Sequence, residues 1–371
     1  MILTLDKVCK SVGASVHIDN VSMVLESGSL NVLLGATLAG KTSLMRLMAG
    51  LDKPSSGRIL LNDVDVTGLD IRKRNVAMVY QQFINYPAMT VYENIASPLR
   101  VKGLATSEID KKVREAARLL RLELMLDRLP LQLSGGQQQR TAIARALVKQ
   151  ADLVLMDEPL ANLDYKLREE LREELPRIFE ATGAIFVYAT TEPSEALMLG
   201  GSTAALSKGR VTQFGPTSAV YRNPHDIVTA GVFSDPPLNT CQAAIRGGVA
   251  QISDASNSGA ELFPHLADGD YTLGFRAHQL YLERPAAHGM SFPAVVRVVE
   301  ITGSESFVHV ESGKNRWVAQ VPGVRYFEPG DKLDVHLDAR ELFVFGADGS
   351  TVYAPDHSKQ NNVISNHLMK V

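Results

Sequence analysis

The sequence predicts an α/β domain built on a mixed sheet, followed by a small all-β, barrel-like domain. Three observations carry that prediction. Apolar strand-like runs alternate with helical spacing through the first half, as at Val32-Leu33-Leu34, Leu153-Val154-Leu155-Met156 and Ile185-Phe186-Val187-Tyr188-Ala189. The run Gly35-Ala36-Thr37-Leu38-Ala39-Gly40-Lys41-Thr42 fits the phosphate-loop pattern G-x-x-x-x-G-K-[ST] and follows the apolar strand Leu30 to Leu34. Beyond a Pro-rich stretch, short strand-like runs are closely spaced and separated by turns.

The elements follow in order. Met1 to Asp6 reads as a first strand and lacks the basic start of a signal peptide. The phosphate loop opens a helix over Thr42 to Ala49, with Ser43 in its first turn. Backbone N–H groups of such a loop cradle phosphate oxygens, and the helix N-terminus adds partial positive charge. A polar, helix-rich insert runs from about Ala88 to Gln150. Within it, Ser107 with Asp110 predicts an N-cap, and Val113, Ala116, Ala117 and Leu120 keep helical spacing. Gly215-Pro216, Asn223-Pro224 and Pro236-Pro237 mark a linker region, which sets the expected domains at 1–235 and 236–355. Strands are expected at Tyr271 to Phe275, Ala294 to Val299, Ser306 to Val310, Trp317 to Val321, Leu333 to Leu337 and Glu341 to Phe345. The remaining 356–371 reads as a polar tail.

Composition bounds the function. The chain has 371 residues, 45% hydrophobic and 21% charged, which is ordinary for a globular protein of two or three domains. A net charge of −3 gives no bulk electrostatic case for nucleic acid. No apolar run approaches the roughly 20 residues of a membrane span. Cys9 and Cys241 stand far apart and read as reduced thiols.

A phosphate loop alone indicates only a nucleotide. Leu133-Ser134-Gly135-Gly136-Gln137, followed by Leu153-Val154-Leu155-Met156-Asp157-Glu158, narrows it. With these motifs the chain resembles the ATP-binding subunits of ABC transporters over nearly its whole length. The resemblance implies a P-loop ATPase domain with a RecA-like core and a helical subdomain at about 88–150. Val298 to Glu305 is similar to the start of a repeat in the OB-like C-terminal domain of sugar-importer ATPases. ATP and Mg²⁺ are the implied ligands. Lys41 then contacts the β- and γ-phosphates, and Thr42 binds Mg²⁺ through its hydroxyl. Asp157 matches the residue that holds Mg²⁺ through water, and Glu158 the one that polarises attacking water. Gln81 in Val79-Tyr80-Gln81-Gln82-Phe83 resembles the glutamine that reaches metal and water; Gln82 is the competing choice. Ser134, Gly135, Gly136 and Gln137 open a helix that closes, in the family, over the nucleotide of the opposite subunit. Asn162-Leu163-Asp164 resembles the loop linking the two sites, with Asp164 at its end.

Three positions depart from the family pattern. Thr191 in Tyr188-Ala189-Thr190-Thr191-Glu192 stands at the switch-histidine position; it hydrogen-bonds but is short and never cationic near neutral pH. Val12 stands where an aromatic residue stacks on adenine, a contact worth on the order of 1 kcal/mol. Leu38 stands where glycine is usual, and its cost at positive φ is expected to reshape the loop. All three fall on the chain's own nucleotide, while the LSGGQ run that serves the other is intact. This distribution favours a pair of unlike ATPase subunits with one weakened site, over drift in a homodimer that still hydrolyses at Glu158.

The resemblance further implies two membrane-spanning permease subunits, which contact the loop Phe83 to Arg100, an indirectly associated periplasmic or lipid-anchored substrate-binding protein, and a peripheral place on the cytoplasmic face of the inner membrane. Leu34 to Ser43 and Ala189-Thr190-Thr191-Glu192-Pro193 look most like an ATPase subunit of bacterial glycerol importers. Two other classes remain: a soluble ABC ATPase acting on ribosomes or DNA, for which paired cassettes, a coiled-coil insert or basic extensions are lacking, and a scaffold that binds ATP without hydrolysing it.

Overall fold

The computed structural model describes residues 1–371 except 83, 162, 253–262, 264, 285–288 and 356–371. Phe83, Asn162 and the expected polar tail therefore lie outside the described residues.

The chain divides into two compact units between Thr217 and Ser218. In the first, β1 (Ile2–Val12) and β2 (Ser15–Glu26) form an antiparallel hairpin ahead of β3 (Leu30–Leu34) and α1 (Lys41–Ala49). Then come β4 (Ser56–Leu61), β5 (Val64–Asp65), β6 (Val76–Val79), α2 (Val91–Val101), α3 (Thr106–Leu119), α4 (Gly135–Val148), β7 (Leu153–Asp157), α5 (Tyr165–Thr182), β8 (Ile185–Thr190), α6 (Pro193–Leu199), β9 (Ser202–Ser207) and β10 (Arg210–Pro216). One sheet runs β2-β1-β4-β5, and the other runs β10-β9-β3-β8-β7-β6. From β9 to β6 every pairing in the second sheet is parallel, with only β10 antiparallel. Such strands are covered on both faces and read as continuous apolar runs, as Leu30–Leu34 and Leu153–Asp157 do.

The parallel register positions the site. Leu34 pairs with Thr190, Asp157 with Ala189, and Val79 with Met156. The carboxyl ends of β3, β6, β7 and β8 therefore lie along one edge, where ligands bind in open α/β sheets. Beneath it, Leu44, Met45, Leu47 and Met48 of α1 pack with Leu33, Leu155 and Val187 of the sheet, all at most 1% exposed.

The helical insert is present as α2, α3 and α4. Thr90 and Glu93 form a capping box at α2, as do Ser134 and Gln137 at α4. The start expected for α3 is corrected. The N-cap is Ala105 without a side-chain cap, and Ser107 lies inside the first turn, where its hydroxyl cannot cap. Asp110 instead pairs with Arg114 one turn on.

At the start of the second unit, α7 (Thr217–Arg222), whose first residue ends the first unit, and α8 (Ile227–Val232) precede nine strands among the described residues. These are β11 (Asn239–Arg246), β12 (Val249–Gln251), β13 (Gly269–Phe275), β14 (Gly289–Ile301), β15 (Glu305–Ser312), β16 (Asn315–Pro322), β17 (Lys332–Asp338), β18 (Phe343–Phe345) and β19 (Thr351–Tyr353). They form two antiparallel sheets, β12-β11-β13-β18-β19 and β16-β15-β14-β17. Trp317 anchors the core between them. It is 1% exposed, lies edge-on to Phe275 and Phe292, and donates its indole N–H to the Thr240 carbonyl at 3.0 Å. Strands β11, β12 and β19 were not expected. Asn239–Arg246 alternates buried and exposed residues, but of its inward side chains, Asn239, Cys241, Ala243 and Ile245, only Ile245 is large and apolar. Glu341 belongs to a 3-10 turn, which shortens the last expected strand.

The division at 217/218 lies upstream of the boundary expected from composition. The reason is packing. Ala230 of α8 is fully buried against Phe343 and Phe345, and the Ile227 N–H donates to the Gly349 carbonyl at 2.9 Å. The Pro-rich segment after Thr217, with Asn223-Pro224 and Pro236-Pro237, thus belongs to the β-rich unit, while Gly215-Pro216 ends β10 of the first.

Candidate nucleotide site

The phosphate loop spans the gap from the end of β3 to α1. A Cβ at Gly35 would sit 2.4 Å from the Leu206 carbonyl oxygen, so only glycine admits this approach. Gly40 takes φ +108 as the N-cap of α1, where a Cβ would lie 2.9 Å from the His17 carbonyl oxygen. Between them Ala36, Thr37 and Leu38 are exposed, while Ala39 is buried. The expected reshaping at Leu38 is corrected: Leu38 itself adopts φ +68, with its side chain 96% exposed. A solvated side chain meets no wall, so the strain there is confined to the backbone.

The end of β7 faces this loop. Lys41, 5% exposed, donates through Nζ to the carbonyls of Gly35 at 2.7 Å and Ala36 at 3.2 Å, and lies 3.5 Å from Glu158 Oε1. Thr42 Oγ1 donates to Asp157 Oδ2 at 2.7 Å. Gln81, just past β6, donates from Nε2 to Glu158 Oε2 at 3.1 Å. This contact distinguishes Gln81 from Gln82. Lys41, Thr42, Asp157, Glu158 and Gln81 thus form one connected cluster.

Burial sets its electrostatics. Desolvation pushes the Lys41 ammonium below its ordinary pKa, against the opposing pull of Glu158. Desolvation likewise pushes the Asp157 carboxyl up, which the Thr42 hydrogen bond opposes and the nearby Glu158 charge reinforces. Among the described residues no group of three His, Cys, Asp or Glu side chains forms a metal cage. The adjacent hydroxyl and carboxylate of Thr42 and Asp157 fit a hard cation such as Mg²⁺, which binds through one or two carboxylates, water and substrate phosphates.

The other expected residues lie apart from this cluster. Ser134 caps α4, accepting from the Gln137 N–H at 3.3 Å, with Gly135 and Gly136 in the first turn. Among the described residues no hydrogen bond joins them to Lys41, Asp157 or Glu158. Val12 is 56% exposed beside the β1–β2 turn. Thr191 follows β8 and is exposed. Asp164 is exposed just before α5, and its charge acts on Arg140.

Two supports went unnoticed in the sequence. Glu195, 5% exposed, accepts from Thr190 Oγ1 at 2.6 Å, Tyr188 Oη at 3.2 Å and Arg172 at 3.0 Å, beneath the Thr191 turn. Gln139, with no exposed surface, reaches from α4 to the backbone after Asp157. Its signal was present, since Gln139 shares a helical stripe with Ala142, Ile143 and Ala146, all buried. A separate cleft of about 660 Å³ lies between the helical insert and the sheet, lined by Tyr86, Met89, Pro98, Arg100, Val101 and Arg145 among others. It includes part of the loop expected to meet a permease.

Comparison with known proteins identifies the family. A family model described as ABC transporter matches residues 18–161, and one described as TOBE domain matches residues 273–345. The sn-glycerol-3-phosphate import ATP-binding protein UgpC of Cupriavidus necator is 36% identical over 359 residues, covering 93% of this chain and 97% of that protein. The trehalose/maltose import ATP-binding protein MalK of Thermococcus litoralis is 34% identical, covering 91% and 95%. The lactose transport ATP-binding protein LacK of Rhizobium radiobacter is 36% identical, covering 92% and 97%. Among solved structures, the dimeric post-hydrolysis state of the ATP-binding cassette MJ0796 bound to ADP and Pi is 30% identical with a TM-score of 0.54, covering 58% of this chain and 98% of that one.

Proposed function

This chain belongs to the ABC transporter ATP-binding family and is an ATPase, and from that premise we propose that it powers uptake of glycerol or a related polyol, sugar or glycerol phosphate as one half of an asymmetric ATPase pair. The importer names of its relatives support the transport class, and the hydroxyl-rich solutes in those names support the substrate class. Among the described residues no helix is long and apolar enough to cross a membrane. In this reading the membrane path comes from two permease subunits, one engaging the cleft beside Tyr86, Met89 and Arg100. A substrate-binding protein delivers solute on the far side, and the chain sits peripherally on the inner face.

The cluster can perform phosphoryl transfer to water. Lys41 exchanges the Gly35 and Ala36 carbonyls for phosphate oxygens, regaining the charge stabilisation that burial removes. Thr42 and Asp157 would hold Mg²⁺, which neutralises phosphate charge when bound. Glu158 accepts the proton of the attacking water, and Gln81 fixes the orientation of its carboxylate.

The asymmetry rests on the family pattern: Val12, Leu38 and Thr191 depart from it at positions that serve the chain's own nucleotide, while the Ser134 cap and its Gly135-Gly136 turn are intact. The weakened site is therefore the chain's own, and its α4 N-terminus serves the partner's competent one. Transport by the assembled complex tests this. Gly136→Asp should lower the rate about a hundredfold, the scale of losing a transition-state donor, while Thr191→Ala should change it little. Near-normal transport by Gly136→Asp beside a dead Thr191→Ala would reverse the assignment.

A further inference from the structure

Glu158 sits in an unusual backbone conformation. Its φ is +47, in the left-handed region, so the turn after β7 does not hold itself. Its N–H donates to the Ala189 carbonyl of β8 at 3.0 Å. Its carbonyl accepts from the Ala161 N–H at 3.3 Å and from Gln139 Nε2 at 3.5 Å. Gln139 Nε2 also donates to the next carbonyl, that of Pro159, at 2.5 Å.

Gln139 is fully buried, and its Oε1 has no hydrogen-bond partner among the described residues. Reversing the amide would set oxygen against two carbonyl oxygens, so the donor must face the turn. A buried glutamine that leaves its acceptor unpaired works against folding. An apolar side chain would suit the Ala142, Ile143 and Ala146 stripe better. What glutamine supplies and an apolar residue does not is a donor to the two successive carbonyls around Glu158.

We propose that Gln139 is a positioning residue, which holds the Glu158–Pro159 turn so that the Glu158 carboxylate stays aimed at Gln81 and Lys41. It touches no reacting atom. It acts through the backbone of the residue that does, and it ties that turn to the helix opened by Ser134. The inference rests on the reading of Glu158 as the group that activates water.

The test is Gln139→Met, which keeps length and removes both donor and orphaned acceptor, with Gln139→Asn beside it, whose amide is one methylene too short to reach. Hydrogen exchange of the purified chain should be at least about tenfold faster at Glu158, Leu160 and Ala161, with α4 and β7 amides unchanged. ATP turnover is then measured in the wild type and in Val12→Tyr/Leu38→Gly/Thr191→His, using whichever turns over. There kcat should fall at least about tenfold at unchanged KM for ATP. Unchanged exchange at 158–161, or faster exchange throughout α4, would overturn the proposal. Glu158→Gln is the control: if it leaves turnover intact, the reading of Glu158 fails, while the exchange data still decide whether Gln139 holds the turn.

Discussion

Leu38 shows how much one residue can carry. It occupies a left-handed position at φ +68 and projects into solvent, so no contact repays its backbone strain. Leu38→Gly should therefore raise the unfolding free energy by about 1 kcal/mol, read by urea denaturation, despite the flexibility glycine adds to the unfolded chain. A loss of stability would mean that Leu38 makes a favourable contact. At this scale the chemistry was legible wherever residue type and spacing coincide. Lys41 and Thr42 follow from the loop pattern, and Asp157 and Glu158 from their place at the end of an apolar strand. Residue type does not separate Gln139 from its two glutamine neighbours; only its helical stripe with Ala142, Ile143 and Ala146 does.

Elements place these residues, and one buried ion pair secures the element that carries Thr191. Arg172 of α5 and Glu195 of α6 are 9% and 5% exposed, and Glu195 also receives the Thr190 and Tyr188 hydroxyls. Removing Glu195 leaves Arg172 still paired with Glu169 at 2.6 Å and Glu192 at 2.9 Å, but takes the acceptor from two buried hydroxyls. Glu195→Ala should thus cost about 1–3 kcal/mol in unfolding free energy, whereas Glu195→Gln, which keeps the hydroxyl contacts, should cost less. Equal losses for the two would show that the carboxylate charge, and not the hydroxyl contacts, is what the site requires. Among the elements, the parallel core strands and α1 were legible because both faces are covered and the apolar runs are unbroken. The start of α3 was not, because Ser107 and Asp110 imitate a cap while the chain enters the helix at Ala105 through backbone alone. Strand β11 was missed because, Ile245 apart, its inward residues are small or polar.

At the scale of the whole molecule, the order of the parallel strands explains why distant motifs share one site. Gln81 and Lys41 follow β6 and β3, and Asp157 ends β7, three strands whose carboxyl ends lie along one edge. The two-unit organisation was legible in the change from mixed to all-β character. The position of the division was not, because α7 and α8 lack strand patterning yet lie with the strands that follow. The proposed function gives this ATPase a weakened nucleotide site of its own. The most direct measurement is ATP turnover by the purified chain alone at saturating Mg-ATP, wild type against Val12→Tyr/Leu38→Gly/Thr191→His. The account predicts slow turnover, below about 0.1 s⁻¹, for the wild type and a gain of about tenfold or more for the triple variant. Wild-type turnover of about 1 s⁻¹ or above, unchanged by the three substitutions, would contradict it.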